Sequence, residues 1–142
     1  MFCDTSTVAK YYSTEAHAAA VRSAIDAAPT VFCSELARLE LHSVFHRRLR
    51  EGTWTPADFQ AAVRQFQRHD VIGFWTWLPL ERAILEQASN LFLTLPPSVY
   101  LRAADSLHLV AALHYRYTEI HTHDKHQIAA ATALGLKPIT IT

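Results

Sequence analysis

The strongest constraint on this chain is an alternation. Five short runs with strand character are separated by longer stretches of helical periodicity. The strand-like runs are MFC before Asp4, VFCS (31–34), WTWL (75–78), EIHT (119–122) and PITIT (138–142). Apolar residues recur at helical spacing over about 6–12, 15–27, 35–51, 56–69, 81–94, 99–115 and 125–134. End signals agree with several of these. Ser34 can cap the third helix, Thr55 with Pro56 opens the fourth, and Gly135 follows the last. Strands that alternate with helices imply a mostly parallel sheet covered on both faces, an α/β fold of three α/β/α layers. Strand order cannot be read from the alternation. Half of the 142 residues are apolar and 18% are charged, which suits a globular chain and fits a single domain over residues 1–142.

Composition excludes some functions. The formal net charge is zero, so any nucleic-acid binding must come from local Lys and Arg rather than from bulk attraction. The longest near-apolar run, GFWTWLPL (73–80), is too short to span a bilayer, and no membrane association is expected. The start MFCDTS shows no cationic segment followed by an apolar one, so a secretory leader is not expected. Cys3 and Cys33 do not make a disulfide framework. Buried reduced thiols in a cytoplasmic protein are the expectation.

Four acids are out of place. In LRAADSLHLVAALHYR (101–116), Leu101, Asp105, Leu109 and Ala112 share one helix face, which turns a carboxylate toward the core. In SELARLELHSVFHRR, Glu40 lies on a stripe with Leu36 and Val44, beside Leu41 and Phe45. Asp4 closes the first strand and Asp124 the fourth. The other acids, among them Glu15, Asp26, Glu51 and Asp70, read as solvated surface. In a parallel α/β sheet the ligand site lies beyond the C-terminal strand ends. Asp4 and Asp124 belong there, and Glu40 starts near that edge. Buried carboxylates held together repel one another, and without a cation their pKa values are expected to rise as a group. Divalent cations relieve the repulsion, and an all-oxygen donor set suits Mg²⁺ or Mn²⁺.

The segments DTSTVAKYYSTE, SELARLEL, LRAADSLHLVAA and THDKHQIAAATALGLKPI, in this order, resemble the PIN-domain family. The resemblance is to the small VapC-type ribonuclease toxins of toxin–antitoxin systems in particular, and it covers essentially the whole chain. It implies a five-stranded parallel sheet in the order 3-2-1-4-5 and Mg²⁺- or Mn²⁺-dependent endonucleolytic cleavage of RNA. It also implies a protein antitoxin as partner, and a homodimer is the expected assembly. The family's four acidic positions fall on Asp4, Glu40, Asp105 and Asp124, and its accompanying hydroxyls on Ser6 and Thr122. Some relatives carry a further acid about three residues after the last Asp; here that position is Gln127.

Arg102 and Lys125, each next to a site acid, are candidates to hold an RNA phosphate, and Lys10 is a further one. The arginines of HRRLRE (46–51) read as a solvated helix end, favoured there by the helix dipole, with contact to RNA phosphate as the alternative. Trp75 and Trp77 read as core. Three rival functions stand beside the nuclease. HTHDKH could offer zinc-ligand histidines. A phosphatase of the haloacid-dehalogenase type needs a second acid where Ser6 stands. The third rival is a catalytically degenerate PIN fold acting as an RNA-binding or assembly module.

Overall fold

Several helices begin where a side chain takes up free backbone N–H groups. In the computed structural model, which describes residues 1–142, Thr55 accepts from the Asp58 N–H at 3.1 Å and Asp58 accepts from the Thr55 N–H at 2.9 Å. This reciprocal cap opens α4 (Pro56–Val71), with proline in its first turn. Asp4 caps α1 (Thr5–Tyr11) by accepting from the Thr7 N–H, and Asp124 caps α7 (Lys125–Ala133) by accepting from the N–H groups of His126 and Gln127. Ser34 Oγ accepts from the Leu36 N–H at 3.2 Å at the entry to α3 (Leu36–Arg50). The remaining helices are α2 (Ala18–Ala27), α5 (Arg82–Thr94) and α6 (Ala103–His114).

The strands are β1 (Phe2–Cys3), β2 (Phe32–Ser34), β3 (Thr76–Leu78), β4 (Glu119–His121) and β5 (Lys137–Ile139). They form one parallel sheet in the order β3-β2-β1-β4-β5, with Cys3 paired to both Cys33 and His121. Pro138 lies in β5, an edge strand, where its missing N–H costs little. The fold is the three-layer α/β/α arrangement with strand order 3-2-1-4-5.

Strand alternation divides the core in two. Cys3 and Cys33 face one layer, built on Val8, Ile25, Leu41, Phe45 and Phe66. Phe2 and Ile120 face the other, built on Ile84, Leu109 and Ala130. No helix is long and apolar enough to cross a membrane.

Three boundaries differ from the periodicity. α2 starts at Ala18 rather than 15, because His17 takes a left-handed conformation (φ 67°) and Lys10 Nζ donates to the Ala16 carbonyl, holding the preceding loop. α6 starts at Ala103 rather than 99, because Arg102 is extended (φ −87°, ψ 155°); Leu101 is buried from the loop, not from the helix. β5 ends at Ile139 rather than running to Thr142.

Candidate functional site

Because all strands run parallel, the residues following β1, β2 and β4 reach one edge. A cavity of about 570 Å³ opens there, and Asp4, Glu40, Asp105 and Asp124 all line it. Each comes from a different element. Asp4 is the N-cap of α1, Glu40 stands on the second turn of α3, Asp105 is in the first turn of α6, and Asp124 is the N-cap of α7. Asp4, Asp105 and Asp124 therefore sit at helix N-termini, whose dipoles favour negative charge.

Hydroxyls fix the acids. Thr122 Oγ1, fully buried, donates to Asp4 Oδ2 at 2.6 Å and accepts from the Asp124 N–H at 3.1 Å, linking the two capping aspartates. Ser6 Oγ donates to Asp4 at 2.7 Å and accepts from the His123 N–H at 2.8 Å. Asp4 is the helix cap, and Ser6 lies inside α1. Glu40 accepts from Thr5 Oγ1 and from His108 Nε2, the latter at 2.7 Å. His108 is 1% exposed.

Asp4 and Glu40 shift in opposite directions. Burial pushes Asp4 up against its hydrogen bonds from Thr122, Thr7 and Ser6 and against the charge of His108. Burial also acts to raise Glu40, but the hydrogen bond and charge of His108, with the Thr5 hydrogen bond, outweigh it and hold Glu40 below the ordinary range. The same pairing raises His108 despite its burial. Glu40 thus pairs with the His108 ring, a partner 68 positions away in the chain.

Arg102 bridges two of the acids. Its Nε donates to Asp105 Oδ2 at 2.6 Å and its Nη2 to Asp124 Oδ2 at 3.0 Å. Lys10 Nζ lies 3.7 Å from Glu15 and lines the cavity. Lys125 is exposed on the first turn of α7 and does not line it. The acids read as solvated are engaged: Asp26 accepts from the Tyr11 hydroxyl at 2.8 Å and Glu51 lies 3.6 Å from Arg50. Asp70 accepts from Arg38 at 2.6 Å and from Trp77 Nε1 at 2.7 Å, and Glu15 pairs with Arg48 at 2.8 Å. Arg48, read as surface, is buried. Its signal was in the helical spacing, since it continues the stripe of Ala37, Leu41 and Phe45. Trp75 and Trp77 pack on the core.

No three acidic or histidine side chains close on one point. The donor set nevertheless fits a hard cation. Two carboxylates already share a positive group, the Arg102 guanidinium; Asp4 is a buried carboxylate held by neutral donors; and the Gln127 Oε1 in the same lining is buried without a hydrogen-bond partner. A carboxamide oxygen at Gln127 supplies a donor but not the charge of an acid.

A family profile described as PIN domain matches residues 1–133. No curated protein sequence matches the chain. Among solved structures, Mycobacterium tuberculosis VapC20, described as a sarcin-ricin-loop-cleaving toxin, superposes with a TM-score of 0.70 at 17% identity, covering 91% of this chain and 93% of that one. FitAcB from Neisseria gonorrhoeae gives 0.69 at 14% identity over 97% and 95% of the two chains. VapBC2 from Rickettsia felis, bound to a fragment of promoter DNA, gives 0.69 at 12% identity over the full length of both.

Proposed function

This chain belongs to the PIN-domain family, and from that premise we propose that it is a metal-dependent endoribonuclease, the toxin of a toxin–antitoxin pair. The observation that carries the reading is that four separate elements deliver Asp4, Glu40, Asp105 and Asp124 to one cavity at the C-terminal edge of the sheet. Nothing in the packing of either core layer requires carboxylates at those four places together. The toxin assignment draws on VapC20 and VapBC2, whose folds this chain shares. A partner antitoxin, a homodimer, a cytoplasmic location and one nuclease domain over residues 1–142 belong to the same proposal.

Asp4, Asp105 and Asp124 would hold Mg²⁺ or Mn²⁺, with Glu40 behind them and Gln127 as a neutral donor. Bound there, the ion supplies charge neutralisation at the phosphate and lowers the pKa of water. The chain's own groups do the positioning. Thr122 and Ser6 fix the rotamer of Asp4, and Thr122 spaces Asp4 from Asp124. His108 and Thr5 fix Glu40. Arg102, half exposed at the cavity mouth, exchanges its carboxylates for a phosphate oxygen of the substrate.

The test is incubation of the purified protein with a structured RNA pool, with Mg²⁺ or chelator, beside Asp4→Asn. Cleavage should need the ion and fall at least about a hundredfold in the variant, the equivalent of about 3 kcal/mol in the transition state. Products should carry 5′-phosphate and 3′-hydroxyl ends. Cleavage that survives both chelator and Asp4→Asn, or a 2′,3′-cyclic phosphate product, would place the chemistry elsewhere.

A further inference from the structure

The cavity extends well past the four acids, and its far wall holds an arginine that the mechanism leaves unused. Arg48 continues the buried stripe of α3 and is 8% exposed. Its guanidinium lies over the Trp54 ring, 4.9 Å from the centroid. Nη2 meets Glu15 at 2.8 Å, while Nη1 is buried with no hydrogen-bond partner. A buried guanidinium with an unmet donor is expensive, because its lost hydration is not replaced. Methionine would fill that helix position without the cost.

The surroundings point to an anion. Arg47 lines the same cavity and has no carboxylate within ion-pair distance, and Lys10 lines it with Nζ 3.7 Å from Glu15. Glu15 thus faces two cations, Lys10 and Arg48, from a loop between α1 and α2, and its side chain is 46% exposed. The loop backbone is anchored independently, by Lys10 Nζ on the Ala16 carbonyl and Arg22 Nη1 on the Ser13 carbonyl at 2.7 Å. The Glu15 side chain can swing out while the loop stays. Glu51, the other acid at this end, is drawn to Arg50 at 3.6 Å.

We propose that Arg48, with Arg47 and Lys10, forms a phosphate subsite for the RNA backbone away from the scissile bond, and that the Glu15 carboxylate holds that place in the free protein. This inference rests on the nuclease reading above. A phosphodiester presents two oxygens to the planar guanidinium fork and so can serve both Nη1 and Nη2, whereas Glu15 serves one. Trp54 supports the guanidinium from its ring face. The swap replaces one anion by another, so RNA binding leaves no new charge unpaired.

The experiment is fluorescence anisotropy with a labelled single-stranded RNA of about twelve nucleotides, in chelator so that nothing is cut, across a salt series. The proteins are the parent, Glu15→Gln, Arg48→Met and Arg48→Lys, with thermal melts of each and a parallel cleavage assay in Mg²⁺. Glu15→Gln removes the competing anion and should bind RNA about three- to tenfold more tightly. Arg48→Met should bind about tenfold more weakly, with the salt slope reduced by about one phosphate contact. Arg48→Lys keeps the charge, loses the fork and should fall between. If Arg48→Met does not fold, the opposite signs expected for Glu15→Gln and Arg48→Lys still decide the matter. A Glu15→Gln protein that melts earlier and binds RNA no better than a parent that still binds and cleaves would make the pair a structural tie and overturn the subsite alone. A parent that neither binds nor cleaves RNA would overturn the nuclease reading and the subsite with it.

Discussion

At the scale of single residues, the pairing of Glu40 with His108 sets a pH window. Glu40 is lowered from 4.5 and His108 raised from 6.5. The carboxylate's share of stability is present above its unfolded pKa and lost as pH falls through its lower folded value. The imidazolium's share is complete below its unfolded pKa and lost as pH rises through its higher folded value. The pair therefore contributes fully between 4.5 and 6.5. Glu40→Gln should cost more stability at about pH 5.5 than at about pH 9, read from denaturant midpoints at both. Equal losses would show that His108 is neutral throughout. Arg102 gives a second expectation. Its guanidinium occupies Asp105 and Asp124, so a bound cation must displace it. Arg102→Met should raise the thermal stabilisation by Mg²⁺ and tighten its binding a few-fold, since the guanidinium is half exposed and its pairing is screened by solvent to about 1 kcal/mol. Weaker Mg²⁺ stabilisation in the variant would make Arg102 a support of the site rather than a competitor. Periodicity exposed Asp105 as an acid on an apolar face. Its partner Arg102, three residues earlier, was assigned to RNA alone because the pattern carries no information on rotamers. That Glu40 would meet His108 was hidden by the 68 positions between them.

At the scale of elements, α3 shows how a helix carries core and site at once. Its fully buried row is Ala37, Leu41, Phe45 and Arg48, with Glu40 and Val44 half-buried on the adjoining row. The stripe read from Leu36, Glu40 and Val44 is that adjoining row, where Glu40 and Val44 line the cavity and Val44 also packs on the core. The rotation of about a third of a turn matters, because it puts Glu40 at the cavity wall instead of inside a layer. The last member of the buried row was misread, because arginines at a helix end usually serve the dipole in solvent. Phe45 packs against Tyr12, Trp54 and Phe66 with ring centroids 5.6, 5.3 and 6.3 Å away, and is fully buried. Phe45→Ala should destabilise by about 3–5 kcal/mol, measured by chemical denaturation. Because Trp54 also carries the Arg48 guanidinium, the same variant should weaken RNA binding if the subsite is real, whereas Phe45→Leu should lose less of both. Helix starts were legible where a Thr-Pro-x-Asp cap is written in the sequence, as at α4. They were not where tertiary contacts decide, as at the loop before α2, which Lys10 and Arg22 hold from outside it.

At the scale of the whole molecule, the alternation of strands and helices was enough for the three layers but not for the sheet order. Equal strand lengths and helix lengths are compatible with many orders, and 3-2-1-4-5 came with the family resemblance. The order has a physical consequence that can be measured. It makes β1 the central strand, hydrogen-bonded on one side to β2 and on the other to β4, and it sets Cys3 opposite Cys33 in register. Both thiols are fully buried in the same core layer, and burial raises both pKa values far above the ordinary range, with Asp4 beside Cys3 adding to the shift. The thiolate is the reactive form, so neither cysteine should react with an alkylating reagent while the sheet is intact. Reaching either thiol requires separating the middle of the sheet from α1 and α3, which amounts to losing the layer that holds both. The two cysteines should then be labelled at the same rate, with a denaturant dependence equal to that of global unfolding. Pulse alkylation read by mass spectrometry gives each rate separately. Faster labelling of Cys33 than Cys3 in native buffer would mean that β2 and β3 open as a unit while β1 and β4 remain in place, and the cavity would then have one mobile wall, the one that carries Glu40.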